Sequence, residues 1–419
     1  NFFFLSVYVI FLFLFILIYC YLYIDLNKFI VDKFGNLEIF KVNNLFGPYI
    51  QSILEGSGHK VNFMGIDLYS ARRPILPYYL IIVYENISAN FYVIHLIKNL
   101  TMGITIFFTI KFLKKNYNNL FIFICLILIF YNPHSVHTMF ATSNEEGFLN
   151  YFIIILFFLI TGDAKYKSFF VGLILSFIFF TKGSMFILTA AIPLAYIFFE
   201  KKKNRYLPLI MVIFSNVIWG GYNYKIQNYF TIGPTGSAVN ALNLSLVYQK
   251  DFSSTYPRVS PDIYYYKTAE LIESKKISTE KELNKILIHQ SLVFLKENPF
   301  EVAKGMLKKL YLITLSPFKD AQVNENINNP IRYSNFSNKI IFNLSLIFLL
   351  INIFKKKGSI LNKNLDYYYL IILVAYMLPY LIGFVYPRHC VAMYTLAHLY
   401  VFSYLIENNK YKLTKFMKK

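Results

Sequence analysis

Hydrophobic positions in this chain come in long unbroken runs, not in the dispersed periodic pattern of a soluble domain. Residues 2–24, FFFLSVYVIFLFLFILIYCYLYI, carry no charge. A helix of about 20 such residues crosses the ~30 Å hydrocarbon core of a bilayer. Only helices and closed barrels satisfy every backbone group in lipid, and the runs lack the strict alternation of a barrel strand. The pattern predicts an all-α polytopic bundle of about ten spans, at roughly 2–24, 88–112, 118–133, 146–161, 167–181, 184–199, 206–224, 337–354, 366–384 and 388–406. Several are shorter than a full crossing, which implies tilt or local thinning. The run at 2–24 exceeds a signal-peptide core and no small-residue cleavage site follows it, so it reads as a retained anchor.

Two polar stretches interrupt the runs. They divide the chain into an N-terminal transmembrane core (1–224, with a first outer loop at 25–87), an outer segment (225–335), and C-terminal helices with a basic tail (336–419). In the first outer loop ILPYYLIIVY is too short to cross and predicts a juxtamembrane helix. In the second, a helix is expected over 279–296. An amphipathic helix follows Pro299, with Lys304, Lys308 and Lys309 on one face and Val302, Met306 and Leu310 on another, expected to lie on the membrane surface.

Composition adds 56% hydrophobic and 19% aromatic residues and a formal charge of +20. In a soluble chain that charge would point to nucleic acid. Here the lysines form short patches between apolar runs: Lys111, Lys114 and Lys115; Lys165 and Lys167; Lys201, Lys202, Lys203 and Arg205; Lys355, Lys356, Lys357 and Lys363; and Lys410, Lys412, Lys415, Lys418 and Lys419. All fall on one side of the ten-span arrangement, which puts both termini in the cytoplasm and both polar segments outside. Cys20, Cys125 and Cys390 lie in or beside apolar runs without metal or disulfide spacing. Walker, GxGxxG and HExxH motifs are absent.

Ionisable residues near membrane depth are costly and mark function. Glu145 and Glu146 open the fourth run from its outer side; they suit a general base or a divalent-cation ligand, and equally suit a helix N-terminus capped by Ser143 or Asn144. Asp67 followed by Arg72 and Arg73 offers a base and a phosphate clamp, or an arginine pair snorkelling to headgroups. Arg388 and His389 sit at the outer start of the last run, where an arginine can hold a lipid phosphate or a headgroup. Lys182, between runs, reads first as a snorkelling lysine and second as a phosphate ligand. His134 and His137 precede the acidic pair, but not at a specific zinc spacing.

These pieces share order and spacing with a known family. The chain resembles the GT-C superfamily of membrane glycosyltransferases, in the branch of the dolichyl-phosphate-mannose–protein mannosyltransferases and the bacterial aminoarabinose transferases. Tyr49 to Gly56, then Arg73-Pro74-Ile75-Leu76-Pro77, resemble that family's first outer loop. Glu145 and Glu146 stand where it carries an acid in its second outer loop. Trp219-Gly220-Gly221-Tyr222-Asn223-Tyr224 with Asn228 to Gly233 is similar to its Trp, Asn-Tyr and Phe-Gly segment. Phe294 to Pro299 with Lys308, Lys309 and Leu310 is similar to its Asn-Pro helix, and Tyr386-Pro387-Arg388-His389 to the arginine opening its last helices. Two departures stand out. Relatives carry an Asp base just before the Tyr-led helix, where this chain reads Val42 to Tyr49 without an acid, and Tyr222-Asn223-Tyr224 lacks the family's Arg.

The resemblance implies an inverting transferase in a bacterial plasma membrane. It would move a sugar from a polyprenyl-phosphate donor to an envelope glycan, lipid or protein on the extracytoplasmic face. Arg72, Arg73, Arg388 and Lys182 would bind the donor phosphate, one of Glu145, Glu146 and Asp67 would act as base, and Tyr49 and His389 are further candidates. The resemblance names no definite cofactor and leaves open whether a divalent cation takes part, since many relatives need none. The competing readings are a transporter or flippase for a lipid-linked glycan, and an O-antigen ligase or polymerase.

Overall fold

The computed structural model describes residues 47–70, 72–87, 97, 145–162, 166–201, 203–232, 261–315, 325–354, 363–383 and 387–417. The expected spans at 2–24, 88–112 and 118–133, together with His134 and His137, lie outside the described residues.

The described chain is mostly helical. The stretch expected as the first outer loop holds α1 (Gly47–Leu54), a hairpin of β1 (Val61–Phe63) and β2 (Ile66–Leu68), and α2 (Ile75–Asn86). Phe63 pairs with Ile66 across Met64 and Gly65, both at positive φ (50° and 83°), which is the backbone a two-residue hairpin turn requires. The helices that follow are α3 (Glu145–Thr161), α4 (Lys167–Thr181), α5 (Phe186–Phe199), entered through a 3-10 turn at Gly183–Met185, and α6 (Leu207–Gln227). The segment expected to lie outside supplies α7 (Pro261–Lys275), α8 (Glu280–Glu297) and α9 (Pro299–Thr314). Then come α10 (Glu325–Phe354), α11 (Lys363–Ile382) and α12 (Val391–Met417).

A helix apolar on every side must be surrounded. That holds for α3, which is buried from Glu145 to Ile160 and packs against α4, α11 and α12. Around it α4 packs on α6, α5 on α11, and α10 on α12. Small residues set the closest approach: a Cβ on Gly172 would meet Met211 Sδ at 2.6 Å. Among the described residues two helical stretches are long and apolar enough to cross a membrane, Asn335–Phe354 and Leu365–Ile382; Lys167–Thr181, Gly183–Phe199 and Val391–Leu405 are shorter apolar helices.

The outer segment has its own small core. Ile66 and Leu68 of the hairpin pack with Ile272 of α7, with Ile277 just after it, and with Leu283 and Leu287 of α8. Glu280 locks this contact: it accepts bonds from the Tyr69 and Ser70 amides (2.8 and 3.3 Å) and from the Ser70 hydroxyl (2.6 Å). Thr279 caps α8 by accepting from the Glu282 amide (3.2 Å).

The structure corrects the expected faces of α9. Phe300, Lys304, Leu307, Lys308, Tyr311 and Leu315 are exposed together, whereas Val302, Lys309, Leu312 and Ile313 turn inward. Lys309 is not a surface lysine. Its ammonium donates to the carbonyls of Leu381 and Ile382 (both 3.1 Å) and of Gly383, capping the negative end of α11. In return Lys339 and Asn343 of α10 donate to the Leu312 and Thr314 carbonyls (2.6 and 3.0 Å) at the end of α9.

Candidate functional site

Four segments distant in sequence meet at the N-terminal end of α3. Glu145 and Glu146 occupy its first turn, where free amides and the positive end of the helix favour carboxylates. Lys182 arrives at the C-cap of α4, its backbone extended (φ −148°, ψ 121°), which aims the side chain back across the bundle. It hydrogen-bonds Glu146 Oε1 and lies 3.9 Å from Glu145 Oε2. Arg72, from the first outer loop, stands 3.8 Å from Glu145 Oε1. His389 Nε2 is 3.2 Å from Glu146 Oε1. Both carboxylates are 5% exposed, so the cluster is a partly dry ionic network and not a solvated surface patch.

Aromatic rings wall the cluster. Tyr380 of α11 stacks on His389 (4.4 Å between centroids), and the Lys182 ammonium lies 5.5 Å from the same ring. Arg73 is sandwiched between Phe179 (4.4 Å) and Trp219 (4.7 Å), and donates to the Ile232 carbonyl (3.1 Å). That carbonyl is in reach because α6 ends on Asn228 in the left-handed region (φ +48°), which turns the chain back on itself. The Phe230 ring then covers Gly220, where any Cβ would meet it at 2.4 Å. Behind the arginines, His59 Nε2–H donates to the Arg72 carbonyl (3.0 Å), and Tyr49 packs on His59 (4.8 Å).

Electrostatics follow from this geometry. Burial works against the Lys182 ammonium, but the carboxylates of Glu146 and Glu145 overcome it and raise its pKa. Burial lowers Arg73 to about 9, opposed by the charge of Glu145, so it stays cationic near neutral pH. Burial also lowers His59, which therefore serves as a neutral donor to Arg72. Among the described residues, the guanidinium and ammonium groups of Arg72, Arg73 and Lys182 gather beside the two carboxylates, donors of the kind that bind a phosphate. Among the described residues no group of three or more His, Cys, Asp or Glu side chains is placed to hold a metal.

The structure thus brings together Glu145, Glu146, Arg72, Arg73, Lys182 and His389. Lys182 does not snorkel, and Arg73 is buried, not directed to headgroups. Arg388 lies beside His389 in the 3-10 turn Pro387–Cys390 that opens α12. Asp67 is elsewhere engaged: it accepts from Lys60 (2.7 Å) and Asn62 (3.0 Å) in the hairpin, and these bonds lower its pKa. Tyr49 is buried behind His59. Sequence reasoning missed His59, Phe179, Tyr380 and Glu280. A lone histidine, two aromatics inside apolar runs and one glutamate at a helix start carry no local signal. Comparison with protein-family models, with curated proteins and with solved structures finds no match.

Proposed function

We propose that the chain is a polytopic membrane glycosyltransferase of the GT-C kind, with about ten spans, both termini in the cytoplasm and its site on the extracytoplasmic face. The observation that carries this reading is the acidic pair held between Arg72, Lys182 and His389 at one end of the bundle. A lipid phosphate suits the guanidinium and ammonium donors gathered there, with Arg73 fixed by its two rings and Arg72 and Lys182 beside it. Arg388 is a further phosphate ligand by its place in the chain.

In the proposed reaction an acceptor hydroxyl attacks the anomeric carbon from the side opposite the phosphate. The hydroxyl proton passes to a carboxylate, the new C–O bond forms, and the bond from the anomeric carbon to the phosphate oxygen breaks. The electron pair leaves on the polyprenyl phosphate, where the arginines stabilise it, and the sugar inverts. Glu146, bonded to Lys182 and beside His389, suits the part of counter-ion, so the base is assigned to Glu145.

The test is mass spectrometry of envelope glycolipids from a deletion strain, complemented with wild type or Glu145→Gln. A glycan short of one sugar, restored by wild type but not by the variant, supports transfer. Loss of the whole glycan from the outer face would instead indicate a transporter, and an unchanged profile would remove the proposal.

A further inference from the structure

Asn150 lies on α3 one turn past Glu146, is fully buried, and neither its amide nitrogen nor its amide oxygen has a hydrogen-bond partner. Residues four apart share a helix face, and helical side chains lean toward the N-terminus. The amide therefore leans toward the acidic pair. Three other helical asparagines, Asn86, Asn216 and Asn223, find a local solution, each donating to the carbonyl four residues earlier. Asn150 makes no such bond. One turn deeper the described surroundings are apolar. Ile153 lines an apolar packing gap with Ile372, Ala392 and Met393, and the hydroxyl of Tyr376 there already donates to the His389 carbonyl (2.7 Å). A buried amide empty at both ends is rare enough in native proteins to require a cause.

We propose that Asn150 is the floor of the site and seats hydroxyls of the donor sugar, an inference that rests on the transferase reading above. A phosphate uses only the amide's donor, and an ammonium only its acceptor. Neighbouring hydroxyls of a sugar ring give one bond and take another, satisfying both. The seat makes the site read the sugar and not only its phosphate.

The test uses the full chain in detergent, with Asn150→Ala and, as a variant leaving less empty space, Asn150→Val. The probes are neryl phosphate and a panel of neryl-phosphate hexoses and pentoses, read by thermal shift. Because the amide has no structural partner, both variants are expected to melt within about 2 °C of wild type or above it. Neryl phosphate should protect all three proteins alike. The best glycosylated probe should protect wild type further and bind both variants roughly 10–100-fold more weakly, the loss of two hydrogen bonds. Sugar probes that bind wild type and variants equally, or variants that both melt several degrees lower, overturn the seat and leave the transferase reading standing. Neryl phosphate that fails to protect even wild type overturns the transferase reading, and the seat with it.

Discussion

Lys182→Met removes the ammonium that joins the two carboxylates of α3. In the wild type that ammonium bonds Glu146, stands 3.9 Å from Glu145 and faces the Tyr380 ring. Deleting one partner of a buried pair leaves the other charged in a poor dielectric, which costs about 3–5 kcal/mol. Here Arg72 and His389 remain beside the acids, so the lower figure of about 3 kcal/mol is expected. Unfolding entropy of roughly 2.1 cal/mol/K per residue over 419 residues converts this to a fall in Tm of about 3 °C. The assay is a melting curve in detergent for wild type, Lys182→Met, Glu146→Gln and the double variant. If the pair is coupled, the double variant is more stable than the sum of the single losses predicts, by about 2 kcal/mol. The linkage sign is also fixed. Lys182 has a raised folded pKa, so its contribution is present below the ordinary lysine value of 10.5 and is lost as pH rises through the folded value. Additive single and double losses, or a Lys182→Met protein as stable as wild type at pH 7, would refute the ion-pair account.

Asp67→Asn is expected to keep glycolipid transfer within about 3-fold of wild type, because its carboxylate is committed to Lys60 and Asn62 in the hairpin; a loss of 100-fold or more in the complementation assay would return the base to Asp67. Lys309 behaves oppositely to Lys182. Burial lowers its pKa to about 8, so stability rises between pH 8 and 10.5, and melting curves of Lys309→Met should lose that rise.

Much of the scaffold was legible because the signal is one-dimensional. The apolar run at 167–181 coincides with α4, and 146–161 differs from α3 by one residue at its start. The helix expected at 279–296 begins one residue later, behind the cap of Thr279. What escaped the sequence is two-body information. Nothing in residues near Lys182 says that a carboxylate waits across the bundle, so a snorkelling lysine was the better local reading. The same holds for Lys309. Its spacing puts it near Lys304 and Lys308 on a helical wheel, yet the carbonyls ending α11, more than 70 residues later, take it inward. Arg73 needed the left-handed turn at Asn228 to deliver the Ile232 carbonyl, a matter of one backbone angle. Asp67 shows the converse: its partner Lys60 is seven residues away, but only the hairpin register brings the two together.

The lock between Glu280 and the amides of Tyr69 and Ser70 bridges a sequence separation of 211 residues. A ribosome adding about 5–20 residues per second needs about 10–40 s to cover that distance. For that interval the arginine loop has been translated without the brace that fixes it, so its final shape must await the late-made third of the polypeptide. A nascent chain halted before α8 would carry the acids and most of the cations, yet its arginine loop would lack the carboxylate that ties it down.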